Sequence, residues 1–229
     1  MMKRLVTTLS AVALLAAIPA CSYVSNLIGA KSGPADATDL AKAVEQVQAE
    51  IDVSKEKMLA AVQALQKITE PDFRGDALAA HKELVKMIDR SEDQAEELRD
   101  AIQEMHAAAE PVFDQWTRDL EGFTNPEMRQ RSQARLAAAR ERYDAVVAAV
   151  EPAVIRFDAV NETLRDHELF LSHDLNPAAV SVLQDDVRRL AGEAAELDQT
   201  LTAGRDAARA YVNASGMPSS EQAVPVRGS

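Results

Sequence analysis

Apolar residues recur at alternating steps of four and three through four separate stretches of this chain, and few folds accommodate that pattern. The first stretch runs Leu40, Val44, Val47, Ile51, Ser54, Met58, Ala61, Leu65, Ile68. The second runs Leu84, Ile88, Ser91, Ala95, Leu98, Ile102, Met105, Ala109, Val112, Trp116, and the third Ala139, Tyr143, Val146, Val150, Ala153, Phe157, Val160, Leu164, His167, Leu171. The fourth runs Val180, Leu183, Val187, Leu190, Ala194, Leu197, Leu201. A sustained seven-residue repeat keeps one face of each helix turned to its partners and implies left-handed coiled-coil packing. Aromatic residues are only 4% and glycines number eight, so the composition favours long helices over a sheet.

The breakers fall between the four seams. Glu70-Pro71-Asp72 ends the first helix, Gly122 to Pro126 the second, and Asp174-Leu175-Asn176-Pro177 the third. Asn125 and Asn176 each precede a proline and read as N-caps with Pro at the first helical position. Loops this short make consecutive helices antiparallel. The expected fold is all-α: four long antiparallel helices with coiled-coil packing over residues 37–212 and no sheet.

Helix lengths refine this picture. The middle two helices take about 45 residues, roughly 70 Å, and the outer two about 35, roughly 50 Å. The central hairpin should therefore outrun its flanks, with residues near 109–139 protruding as a tip about 20–25 Å long. Pro111 falls near the expected exit from the four-helix body.

The chain opens differently. Lys3 and Arg4 precede an uncharged apolar run, Leu5 to Ala20, which is short for a membrane span and suits a secretory leader. Ile18-Pro19-Ala20-Cys21 then looks like a bacterial lipobox, whose cysteine is acylated and becomes the new N-terminus. Residues 1–20 are the expected signal peptide, residues 21–36 a tether to the lipid on Cys21, and residues 213–229 a disordered tail. Two or more acyl chains anchor stably, whereas one alone is marginal. Cys21 is the only cysteine, so lipidation leaves no thiol for a disulfide, a thiolate metal site or a nucleophile. Ser22 stands where Asp would signal retention in the inner membrane, so the expected location is the periplasmic face of the outer membrane. The tether joins the first helix at the tip end, so anchor and tip should point the same way.

Charge narrows the partners. The formal charge of −12 becomes −14 once Lys3 and Arg4 are removed with the leader, which excludes a nucleic-acid partner on electrostatic grounds. The expected partners are the membrane, through lipid on Cys21, and an envelope protein or cell-wall component, with a homo-oligomer possible. No glycine-rich phosphate loop, nucleophile elbow or HExxH motif occurs. No enzyme, cofactor or metal is expected: His167 and His173 are six apart and lack a third ligand, and the acidic run EDQAEELRD at residues 92–100 reads as a solvated helix face.

The tip is the one candidate contact site. It holds Phe113, Trp116 and Phe123, together with Arg129, Arg131 and Arg135 in the stretch MRQRSQARLAAARER. Two readings stand side by side. In one, Arg135 pairs with Asp114 and Arg129 with Glu121 across the hairpin while Trp116 plugs the seam. In the other, these six residues form a partner-contact surface anchored by Trp and Arg.

From Val112 to Val212 the chain resembles a bacterial family labelled domain of unknown function 2959. The resemblance is carried by VFDQWTRDLEGFTNPEMRQRSQARL, ERYDAVVAAVEPAV and LRDHELFLSHDLNPAAV. It implies a lipoprotein-type leader followed by long helices and transfers no catalytic or binding residue. Two functions compete: a non-enzymatic envelope lipoprotein acting as helical spacer or adaptor, and a self-assembling helical-hairpin scaffold at the membrane surface.

Overall fold

The structure, a computed structural model, describes residues 34–215; the leader, Cys21, most of the expected tether and the expected tail from residue 216 lie outside the described residues. Four long helices make up almost all of it: α1 (Pro34–Ile68), α2 (Ala77–Asp119), α3 (Pro126–His173) and α4 (Pro177–Ser215), with a single 3-10 turn, Leu120–Gly122, after α2. There is no strand among the described residues. Helix α1 begins three residues inside the expected tether and α4 runs three residues into the expected tail.

Local chemistry sets the boundaries. Pro34 opens α1, where a missing N–H costs nothing. At its other end Thr69 Oγ1 donates to the Leu65 carbonyl at 2.9 Å, and Pro71 blocks continuation. Asp76 caps α2, its Oδ1 accepting from the Ala79 N–H at 3.1 Å. Asn125 caps α3 as expected, accepting from Glu127 N–H at 2.9 Å and Met128 N–H at 3.2 Å, with Pro126 following. Asn176 accepts from the Ala178 N–H at 2.9 Å at the start of α4. Helices α2 and α3 continue through Pro111 and Pro152. Both prolines are exposed, as are Ala107 and Ala148, so water can reach the carbonyls that lose an N–H partner.

The helices form a ring in sequence order. Helix α1 lies against α2 and α4, and α3 against the same two; α1 and α3 touch across the middle, while α2 and α4 do not meet. Every residue on the first seam, Leu40 to Ile68, is buried, as are Leu84 to Ala109, Tyr143 to Leu171 and Leu183 to Leu201 on the others. Gly204 marks a close approach: a Cβ there would lie 3.0 Å from Val150 Cγ1 and 3.5 Å from Ile51 Cδ1.

Polar pairs fix the register. Gln94 of α2 donates to Glu50 of α1, Ser91 and Asn161 join α2 to α3, and Lys55 reaches Thr202 and Asp198 of α4. Counting out from Glu50 and Gln94 in antiparallel register, α1 begins about level with residue 110 of α2. Helix α4 ends just past Tyr211, whose neighbours on α3 are Arg142 and Tyr143. Beyond those levels α2 and α3 continue alone for about 20 Å. The protruding tip is therefore real, and α1 enters the body at its base. No helix among the described residues is long and apolar enough to cross a membrane.

Candidate functional site

The tip is built from the end of α2, the Leu120–Gly122 turn and the first four turns of α3. Trp116 projects from α2 into the two-helix seam, and its Nε1–H donates to Ser132 Oγ on α3 at 2.9 Å. Phe113 is 8% exposed, edge-on to Tyr143 at 5.5 Å between centroids, with the Arg140 guanidinium 5.6 Å above its ring. Arg140 also donates to the Phe113 carbonyl at 3.3 Å and to Thr117 Oγ1 at 2.9 Å. The base of the tip is thus a knot of Phe113, Tyr143 and Arg140. Phe113 belongs to the core and not to the contact surface on which it was placed.

The expected ion pairs across the hairpin do not form. Arg129, Arg131 and Arg135 are exposed, and their side chains make no hydrogen bond or ion pair among the described residues. Asp114 and Arg135 are level, but they sit on the wrong faces. Arg140 occupies the side of α3 that meets α2, and Arg135 lies about 140° around the helix from it. Trp116, Leu120 and Phe123 are half-buried, and Met128 is 45% exposed. Trp116 therefore does plug the seam, while the arginines remain available.

Residues 30–214 match the model of the family described as Protein of unknown function (DUF2959). The chain belongs to this family. The match spans all four helices and the whole tip of this DUF2959 member. No curated protein and no solved structure matches the chain.

Two further polar clusters lie in the body, and sequence pattern did not single them out. On one side α2 and α3 part to leave an open groove of about 690 Å³ lined by Glu92, Glu96, Arg99, Asp158, Glu162 and Arg165 among others. Its arginines are already engaged. Arg99 holds Asp158 with contacts of 2.9 and 3.1 Å, and Arg165 binds Glu92 and, at 2.8 Å, Asp89. Those bonds push the Arg165 pKa further up, the Glu92 bond foremost. The run at residues 92–100 is thus no simple solvated face. Gln94, Ala95 and Leu98 are buried, while Glu92 and Arg99 clamp α3.

The other cluster links Tyr143, His106 and Glu151. Tyr143 Oη and His106 Nδ1 share a hydrogen bond of 2.7 Å, and His106 Nε2 lies 3.2 Å from Glu151 Oε1. Desolvation, with help from Asp144 and Glu151, pushes the Tyr143 phenol up to about 12, so it stays a protonated donor and not a nucleophile. His167 is packed on the seam as expected, its Nδ1–H donating to the Thr163 carbonyl at 2.6 Å. No group of three or more metal-ligating side chains occurs among the described residues.

Proposed function

We propose that this DUF2959 member is a non-enzymatic lipoprotein of the bacterial cell envelope. It is anchored through acylated Cys21 on the periplasmic face of the outer membrane and uses its four-helix body as a spacer that presents the tip to a partner. The observation that carries the reading is the group of exposed arginines at the tip. In the body, Arg99, Arg165 and Lys55 are spent on helix–helix pairing. At the tip, Arg129, Arg131 and Arg135 face solvent in the segment that holds Ser132, the partner of Trp116, and their side chains have no partner among the described residues. Trp and Arg are enriched among the few residues that carry most of the binding energy at protein interfaces. The anchor is supported by the leader, by the lipobox-like Ile18-Pro19-Ala20-Cys21 and by the entry of α1 at the base of the tip.

The test is the intact mass of the mature protein from separated inner and outer membranes. A chain starting at Cys21 with added acyl mass, recovered in the outer membrane, is the expected result. An unmodified chain in the soluble fraction would overturn the anchor and, with it, the spacer role.

A further inference from the structure

The heptad seam does not stop where α1 and α4 stop. Val112 and Trp116 continue the α2 seam into the tip and Ala139 continues that of α3, yet these seam residues are only half-buried. They are the positions that helices corresponding to α1 and α4 would cover if those helices were longer. Helix periodicity places Arg131 and Arg135, but not Arg129, on the same uncovered side. Ala149, against which Gly204 of α4 packs, stands about five turns on from Arg131, and Arg135 and Arg142 fall on the same strip. Arg142, further along the strip, borders Tyr211 of α4, which marks where the cover begins. The tip therefore carries an apolar floor of half-buried Val112, Trp116, Leu120 and Ala139 beside a rim of exposed Arg131 and Arg135.

We infer that this face seats an amphipathic helix of another protein, apolar side down on the Trp116 floor and carboxylates along the Arg131–Arg135 rim. The inference rests on the reading of the tip as a contact surface and names the chemistry of what it contacts. About 14 residues of helix would span the 20 Å of open seam. Carboxylates on the docking helix would meet Arg131 and Arg135 in charge-assisted hydrogen bonds.

Other occupants fit less well. The chain's own flanks cannot answer the arginines: residues 22–33 contain no acid, and residues 216–229 contain Glu221 balanced by Arg227. An anionic lipid surface would meet exposed Glu121 and Glu127 at the apex first. Six arginines against five acids over residues 111–142 leave a net charge of only +1, too little when each basic residue near such a surface is worth about 1 kcal/mol. A second copy docked face to face in antiparallel fashion would set α3 against α3, arginine rim on arginine rim.

The experiment is photo-crosslinking in cells producing the full chain, with a benzophenone residue in place of Met128 or Ala139 at the tip, or of exposed Val182 in the body. Adducts are mapped by peptide sequencing. The expected adduct from the tip is a segment of another protein with apolar residues at three- and four-residue spacing and a net negative charge. Its yield should fall about tenfold or more in Arg131→Glu/Arg135→Glu, a variant whose circular dichroism and melting stay as in the parent. Tip adducts with residues 216–229, with a second copy, with lipid or glycan, or with a segment lacking acids would overturn the inference, as would no tip adduct at all. A protein adduct from Val182 alone would overturn it while leaving the adaptor reading intact.

Discussion

Replacing Asn161 probes what holds α2 and α3 in register. Ser91 Oγ donates to Asn161 Oδ1 at 2.7 Å, and Asn161 Nδ2 donates back to the Ser91 carbonyl at 3.3 Å. Ser91 is 0% exposed and Asn161 5%, so neither can turn to water. An internal hydrogen bond contributes about 1 kcal/mol net, and a buried polar atom stripped of its partner costs about 1–3 kcal/mol. Asn161→Ala removes both bonds and strands the Ser91 hydroxyl, against a helix-propensity gain of about 0.6 kcal/mol. The expected loss is about 2–3 kcal/mol. Ser91→Ala leaves one bond standing but strands Asn161 Oδ1, and should cost about 1–3 kcal/mol. The pair Ser91→Ala/Asn161→Leu strands nothing and should return to within about 1 kcal/mol of the parent. Urea unfolding measures each value, provided the m-value is unchanged. If the single and double Ala substitutions add to within about 0.5 kcal/mol, the two side chains are not coupled and the polar pair does not set the register.

Other expectations follow from the same packing. Ser54 Oγ is buried without a partner on the α1 seam, so Ser54→Ala should raise the unfolding free energy by about 1–2 kcal/mol in urea titrations. Burial raises Tyr143 and Tyr211 from 10.0 to about 12, Arg142 opposing the rise at Tyr211. The folded chain therefore binds more protons than the unfolded chain between those values. The stability these phenols contribute is fully present below pH 10 and is lost as pH rises through about 12. Base titration should show tyrosinate absorbance appearing together with loss of helical ellipticity, and Tyr211→Phe should flatten that dependence. Arg131→Glu and Arg135→Glu, touching no partner, should change stability by no more than about 0.5 kcal/mol in thermal melts.

Pattern alone carried the helices a long way. Every seam position from Leu40 to Ile68 is buried, and the caps at Asn125 and Asn176 sit where a residue before proline had placed them. Apolar spacing reports which face of a helix turns inward, and that information is local. Ion pairing depends on how two faces meet, which is not local. Asp114 and Arg135 are level, as hairpin counting expected, but they point to different sides. Arg140, which sequence reading had not singled out, makes the contact to α2. Asn161 sits beside the seam residue Val160 and was invisible for the same reason: a polar residue next to a seam is ordinary until register sets it against Ser91. Phe113 was offered as a contact residue because an aromatic near an exposed tip reads that way. Its burial requires Tyr143 and Arg140 to converge from the other helix.

The account stands on the tip being covered in the cell and bare in isolation. Arginine footprinting with phenylglyoxal, read residue by residue by mass spectrometry, tests this directly on isolated envelopes and on the purified chain. Arg90 and Arg156, exposed on the body and without ion pairs among the described residues, serve as internal controls. With the tip covered in the cell, Arg131 and Arg135 react freely in the purified chain and are several-fold protected in envelopes, while Arg90 and Arg156 react alike in both. Equal reactivity of all four arginines in the two preparations would contradict it.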